Sequence, residues 1–204
     1  ETTGGTGFWN TTEGEWNDSA QPGGADGQVF TNGDSVFFGP AAMGAGYYVV
    51  PNANPNGSVS LSVENLTFAA DGVTVISGFT GSTLAITGNL TVASGVTSEI
   101  ATKITSGLTI ANSGTLTLSG DVGTNAATDV VAITGGTTTL SSTVNAAVTV
   151  ATSTAVEVVN GGQVAGAATV AGGSLTVNDT ANDAALEVVG KTTISGGTVT
   201  LTAG

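Results

Sequence analysis

The chain contains no cysteine, histidine or arginine, and its only basic side chains are Lys103 and Lys191. Without cysteine there is neither a disulfide framework nor a thiol nucleophile. Without histidine, the usual general base and the commonest metal ligand are both missing. The 15 acidic residues give a formal net charge of −13, which repels nucleic acid and anionic membrane surfaces. We therefore predict no nucleic-acid partner.

Charged residues of both signs are scarce, at 8% of the chain, yet the mean hydropathy is only +0.31. The surface must therefore be built from neutral polar groups, and the 36 threonines are the main supply. Such a composition argues against disorder, which favours high charge and few β-branched residues. No apolar run approaches the ~20 residues of a membrane-spanning helix, so we expect no membrane insertion. Low charge and many threonines favour a secreted or cell-surface protein.

One phrase recurs through the C-terminal part of the chain. It consists of an apolar residue, Thr or Ser, one or two glycines, and then alternating threonines and aliphatics. Copies begin at Ile86, Ile104, Ile133, Val170 and Ile194. The alternation places aliphatics on one face of a strand and threonines on the other, and the glycines allow turns. Strands this short bury little alone, whereas stacked copies bury a continuous core.

The repeat predicts an all-β fold, a parallel β-helix (a β-solenoid) over residues 59–204 with ~20 residues per coil. Residues after about 60 would form about seven rungs. The alternative is a β-sandwich of hairpins, because Asn-Gly and Gly-Gly turns suit hairpins equally well. Recurrence of one phrase favours the solenoid, since sandwiches need not repeat.

Residues 1–58 differ sharply in composition from the rest and are expected to form an N-terminal cap. All four prolines precede residue 56, and no aromatic follows Phe79. An open solenoid exposes apolar side chains at its first coil, which bulky rings can cover. Two hairpins are predicted within the cap. One lies between Trp9 and Trp16, and the other is centred on the turn Thr31-Asn32-Gly33-Asp34.

The aromatics of the cap are the candidate binding residues. They could form a platform for carbohydrate, or they could simply fill the core and cover the end, which aromatic residues do more often. The candidates are Phe8, Trp9, Trp16, Phe30, Phe37, Phe38, Tyr47 and Tyr48.

The N-terminal motifs resemble the start of bacterial autotransporter passenger proteins. The matching motifs are Gly7-Phe8-Trp9, Trp16-Asn17-Asp18, Gly33-Asp34-Ser35-Val36-Phe37-Phe38 and Asn65-Leu66-Thr67-Phe68 with Gly72-Val73-Thr74-Val75, followed by coils of the Gly-Gly-Thr-Leu type. The resemblance implies a right-handed β-helix, export across both membranes of a Gram-negative bacterium, and a role in adhesion, aggregation or biofilm.

Two departures from that family lead to a further expectation. The sequence carries no C-terminal transmembrane barrel, and its last residues, Thr198–Leu201, are coil-like without a capping sequence. Either the chain is a fragment, or another chain covers the open end. We therefore expect self-association, head-to-tail or lateral, and a ligand on a host or bacterial surface is a further partner.

One pair of glutamates is the candidate catalytic site. Glu157 and Glu187 repeat one local pattern and, on neighbouring rungs, could form a glycosidase-type carboxylate pair. The alternative is two solvated charges. Because arginine is absent and lysine is scarce, stabilising an oxyanion or a leaving group would be difficult. We predict no enzymatic activity and no catalytic residue.

Calcium is the candidate cofactor, because it binds several oxygen ligands. The densest clusters are Asn178-Asp179 with Asn182-Asp183, and Asp121 with Asn125 and Asp129, while Gly23–Gly27 is an imperfect echo of a calcium repeat. None fits an established calcium motif, so solvated loops are favoured and no metal or cofactor is predicted.

The sequence therefore predicts a non-catalytic structural or adhesive module, extracellular or on a bacterial surface. Two alternatives remain. One is the subunit of a head-to-tail filament in an extracellular matrix, and the other is a β-helix domain that binds or cleaves carbohydrate.

Overall fold

The structure is a computed structural model that describes residues 5–9, 30–39, 47–51, 57–76, 81–159, 162–179 and 190–203. These residues form strands, turns and bends, and no helix occurs among them. The predicted hairpin between Trp9 and Trp16 lies almost entirely outside the described residues, as does most of the predicted cap.

The strands are short because a turn follows every few residues. Val, Ile, Leu and Thr dominate them, as expected for pleated, half-buried surfaces. In chain order they are β1 Gly5–Trp9, β2 Val36–Phe38, β3 Tyr47–Pro51, β4 Ser60–Val63, β5 Leu66–Phe68, β6 Val73–Val75, β7 Thr83–Ile86, β8 Asn89–Val92, β9 Thr97–Ile100, β10 Lys103–Ile104, β11 Leu108–Asn112, β12 Thr115–Leu118, β13 Val130–Thr134, β14 Thr137–Leu140, β15 Thr143–Val144, β16 Ala147–Val150, β17 Ala155–Val159, β18 Gln163–Val164, β19 Ala168–Val170, β20 Ser174–Asp179, β21 Thr192–Ile194 and β22 Thr198–Ala203.

The strands stack into three faces, which the chain visits in turn. The nine-stranded sheet has the order β1-β3-β6-β9-β12-β14-β17-β20-β22, and the eight-stranded sheet has the order β2-β5-β8-β11-β13-β16-β19-β21. A narrower third face contains β10-β7-β4 and β15-β18, joined by single bridges of Val122 to Ile104 and to Val144.

Every pairing between the described strands is parallel, and each partner lies one coil away in the sequence. In the nine-stranded sheet the aligned residues Thr97, Thr115, Thr137, Ala155, Ser174 and Thr198 mark coils of 18 to 24 residues. The chain therefore winds as a β-solenoid of about six turns, which confirms the predicted fold and coil length. A sandwich of hairpins would require antiparallel neighbours, so that alternative is wrong for the described residues.

Inward-facing side chains stack in columns that form one continuous core. On the eight-stranded sheet, one column contains Val36, Leu66, Leu90, Ile110, Ile133, Val150, Val170 and Ile194. All of these except Ile194 are buried. Because each coil is sheltered by the coil before it and the coil after it, burial in this fold depends on stacking.

Glycines at the corner between the two large sheets allow close approach as well as turning. Gly136 has a φ of +60°, a conformation that favours glycine. Gly173 is not in that region of φ, yet a Cβ atom there would lie 2.5 Å from the carbonyl oxygen of Ala151 and against that of Thr154. The Gly-Gly phrase is therefore required at this corner by the backbone of the preceding coil as well as by turn geometry.

One expectation about the cap is wrong in detail. The Thr31–Asp34 turn forms, with the Asp34 N–H donating to the Thr31 carbonyl oxygen at 3.0 Å and Gly33 at a φ of +101°. However, Phe30 lies outside any strand, and β2 pairs in parallel with β5. This turn therefore leads into a solenoid coil, and no hairpin forms among the described residues here.

Candidate functional site

The candidate aromatics are divided between the core and the surface. Phe30 and Phe38 are buried, and the Phe38 ring stacks on Phe68 with ring centroids 5.3 Å apart. Phe37 precedes Phe38 on β2, but its side chain faces outward and is 45% exposed. Thus the alternation of one short strand sends neighbouring rings in opposite directions, and Phe37 is the described candidate that offers a ring to a ligand.

The other five candidates lie outside what is described of side chains. Phe8 and Trp9 belong to β1 and Tyr47 and Tyr48 to β3, which are paired in parallel, and their rings are not described. Trp16 lies outside the described residues. The carbohydrate-platform hypothesis for these five therefore stays a prediction.

Two glutamates share an outward column on the nine-stranded sheet. Glu99 and Glu157 are aligned through Thr117 and Thr139, three strand spacings apart. At ~4.8 Å per spacing, their backbones are about 14 Å apart. Glycosidase carboxylates lie about 5–9.5 Å apart, so Glu99 and Glu157 do not form such a pair. Glu187, the proposed partner of Glu157, lies outside the described residues.

Each carboxylate whose side chain is described accepts a hydrogen bond, and five of these carboxylates accept one from a neighbouring coil. Asp71 accepts from the Thr97 N–H at 2.7 Å, and Asp121 accepts from the Ser142 hydroxyl at 2.5 Å. The remaining three inter-coil pairs are Glu64 with Ser35, Glu99 with Ser119, and Glu157 with the Asn178 amide. These hydrogen bonds to charged acceptors help to fix one coil against the next.

Asp129 organises the turn that connects Val122 of the third face to β13. Its carboxylate accepts hydrogen bonds from the backbone N–H groups of Thr124 at 2.7 Å and Asn125 at 3.1 Å. These two bonds hold the pKa of Asp129 below its ordinary value. The carboxylate is thus oriented towards N–H donors of its own loop. Among the described residues, no group of three or more acidic, His or Cys side chains could hold a metal ion.

Buried polar side chains form a feature that the sequence reading missed. Asn112 is 2% exposed, and its amide donates to the Thr137 carbonyl oxygen at 2.7 Å and to the Thr138 hydroxyl at 3.2 Å. It also accepts from the Gly114 N–H at 2.8 Å. Asn112 therefore ties the corner of its own coil to the next one, inside the core.

The outer face of the eight-stranded sheet, termed the neutral face below, carries no charge on any described strand. By contrast, the nine-stranded sheet presents Glu99 and Glu157, and the third face presents Lys103 and Asp121. Of the four large apolar side chains that are exposed among the described residues, Phe37 and Val130 lie on the neutral face. Its outward residues are Phe37, Thr67, Asn89, Thr91, Thr109, Ala111, Val130, Ala132, Thr134, Ala147, Thr149, Thr169 and Thr193.

Comparisons with protein-family models, with curated proteins and with solved structures each returned no match. Within the described part of the chain, no helix is long and apolar enough to cross a membrane. The relationship to autotransporter passengers and the right-handed winding therefore stay predictions from the N-terminal motifs.

Proposed function

We propose that the chain is a non-catalytic extracellular module of a bacterial surface, with a structural or adhesive role like that of an autotransporter passenger. The observation that carries this proposal is the use of the acidic side chains. Each described carboxylate is hydrogen-bonded, and those of Asp71, Glu99, Asp121 and Glu157 join one coil to the next. Carboxylates whose hydrogen bonds hold neighbouring coils together suit a module that acts as a rigid spacer.

The residue types of the whole chain also support a non-catalytic role. Acyl, phosphoryl and glycosyl transfer commonly use histidine, cysteine, arginine or a close carboxylate pair. The first three types are absent from the sequence, and Glu99 and Glu157 are too far apart to act together. Long outer faces of threonine hydroxyl and methyl groups instead offer a broad surface for weak, repeated contacts.

Head-to-tail self-assembly is a second candidate, favoured by the rung formed by β21 and β22. Ile194 and Leu201 occupy inward columns, yet they are 55% and 76% exposed. Apolar side chains at a strand edge favour the addition of another β-rung. A continuation of the same chain or a second copy can supply that rung, and in the second case the contact is heterologous and need not close.

Display of the chain on a non-adherent Gram-negative bacterium, through an unrelated surface anchor, tests the proposed function. Cells carrying the chain should settle from suspension and remain on abiotic or cell-coated surfaces. Cells with the anchor alone should not, and neither should cells displaying Leu118→Asp, which buries a charge in the core. Equal behaviour of the three strains would contradict an adhesive role.

The same cells distinguish the carbohydrate alternatives. Incubation with a panel of polysaccharides should release no new reducing ends, and their appearance would contradict the non-catalytic proposal. Retention restricted to polysaccharide-coated surfaces, and lost in Phe37→Ala or Trp16→Ala, would favour a carbohydrate-binding domain instead.

A further inference from the structure

The charge distribution singles out one of the three faces. The chain carries a net charge of −13, yet the neutral face has no charged side chain across eight described strands. The acidic residues nearest to it, Asp34, Glu64 and Asp129, lie in the turns that precede β2, β5 and β13. Lys191, in the turn that precedes β21, lies on the same border. The face is therefore uncharged over its strands, with three carboxylates and one ammonium group along this border.

Exposed apolar side chains lie on the same face. Phe37 on β2 is 45% exposed, and Val130 on β13 is 47% exposed. Between them lie the hydroxyl and methyl groups of Thr67, Thr91 and Thr109. A row of Thr and Ala with two exposed apolar side chains can be desolvated at low cost, because no charge has to leave water.

We propose that the neutral face is a lateral contact between two copies of this chain. The charge distribution is the observation that favours a second copy. Two molecules of net charge −13 repel each other wherever their acidic residues come close, and an uncharged face minimises that repulsion. The contact would be isologous, with the face of one copy against the face of the other. This inference rests on the proposed structural or adhesive function and names the surface that serves it.

The size of the face predicts weak association. Eight strands at ~4.8 Å spacing extend about 34 Å, and strands of four residues are about 13 Å wide, giving roughly 450 Å² per copy. A standard stable interface buries about 800 Å² per partner. Two isolated copies should therefore pair only at high concentration, whereas many copies on one surface would gain from multivalency.

Salt supplies the first discriminating condition. Because the pairing surface is uncharged while the whole molecule is acidic, screening should strengthen association. Analytical ultracentrifugation of the complete 204-residue chain over a wide range of concentration, at low and high salt, should show dimers that become more abundant as salt increases. A monomer under all these conditions would overturn the proposal.

A matched pair of variants locates the contact. Thr149→Glu places a charge on the sixth of the eight strands of the neutral face, between Ala132 and Thr169, whereas Thr137→Glu adds the same charge to the nine-stranded sheet. Thr149→Glu should weaken dimerisation about tenfold or more, because the contact would then have to bury a charge that has no partner. Thr137→Glu should change it little. Thr169→Glu serves as a second test if Thr149→Glu does not fold.

The other outcomes overturn this proposal without deciding the proposed function. Equal dimerisation of Thr149→Glu and Thr137→Glu would mean that the copies meet elsewhere, as in head-to-tail assembly. Equal loss in both variants would mean that only total charge matters. In either case the adhesion of displayed cells, which is a separate measurement, would still test the proposed function independently.

Discussion

The middle rungs and the last described rung contain the same kind of residue at the same inward positions, and their exposure differs completely. Leu118 and Leu201 belong to one inward column, as do Ile110 and Ile194 to another. Leu118 and Ile110 are 1% and 0% exposed, whereas Leu201 and Ile194 are 76% and 55% exposed. Local sequence therefore sets the direction of a side chain, and a following rung sets its burial.

The strongest test of that difference truncates the two leucines. Leu118→Ala should destabilise the solenoid by about 2–5 kcal/mol, because it removes buried methyl groups and leaves a cavity. Leu201→Ala, in the same column, should cost well under 1 kcal/mol, since its side chain is mostly in water already. Urea unfolding followed by circular dichroism measures both, and equal losses would show that the two positions are not structurally distinct in solution.

Two glycines at corners of the solenoid separate the effect of close packing between coils from the effect of backbone conformation. Gly173→Ala should cost about 3 kcal/mol, because its Cβ would press on backbone atoms of Ala151 and Thr154 in the preceding coil. Gly95→Ala should cost about 1 kcal/mol, because Gly95 has a φ of +77° but nothing lies within 4 Å of a Cβ there. The melting temperatures of the two variants, each compared with the wild type, show which substitution destabilises the solenoid more. If Gly95→Ala were the more damaging, turn geometry and not coil packing would be the stronger requirement for glycine at these corners.

The smallest expected effect concerns Asp129 in a turn of the middle rungs. Since its pKa is lowered in the folded state, its contribution to stability is present above the unfolded pKa of about 3.9 and is lost as pH falls through the folded value. The melting temperature of the wild type should therefore exceed that of Asp129→Asn at neutral pH by a small margin that closes below about pH 4. A constant margin across this range would contradict the role assigned to the Thr124 and Asn125 hydrogen bonds.

Much of the fold could be predicted because the pattern that indicates each strand lies within a few consecutive residues. The alternation in Leu116-Thr117-Leu118 indicates a strand with threonine outside, and recurrence of the phrase indicates stacking. The same local rule fails where a polar residue faces inward. Thr138 is completely buried within Thr137–Leu140, and Asn112 takes the inward place that Val92 holds one coil earlier.

The candidate site was harder to predict because it depends on register. The Asp121–Ser142 and Glu99–Ser119 bonds join residues about one coil apart, and which pairs meet depends on the exact length of each coil. Coils of 18 to 24 residues cannot be aligned from the sequence phrase alone. The same uncertainty hid the neutral face, since its charge-free character appears only when eight separate strands are placed side by side.

The central claim, that successive coils lie directly on one another in parallel register, can be tested by disulfide trapping, since the chain has no cysteine of its own. Thr117 and Thr139 are aligned on adjacent strands of the nine-stranded sheet and face outward. Parallel neighbours bring Cα atoms within the range that a disulfide spans. The Thr117→Cys/Thr139→Cys variant should form an intramolecular disulfide on mild oxidation and gain about 3 kcal/mol of stability. The control pair Thr117→Cys/Thr149→Cys, on different sheets, should stay reduced. A control pair that oxidises as readily, or a designed pair that does not oxidise, would contradict the solenoid register.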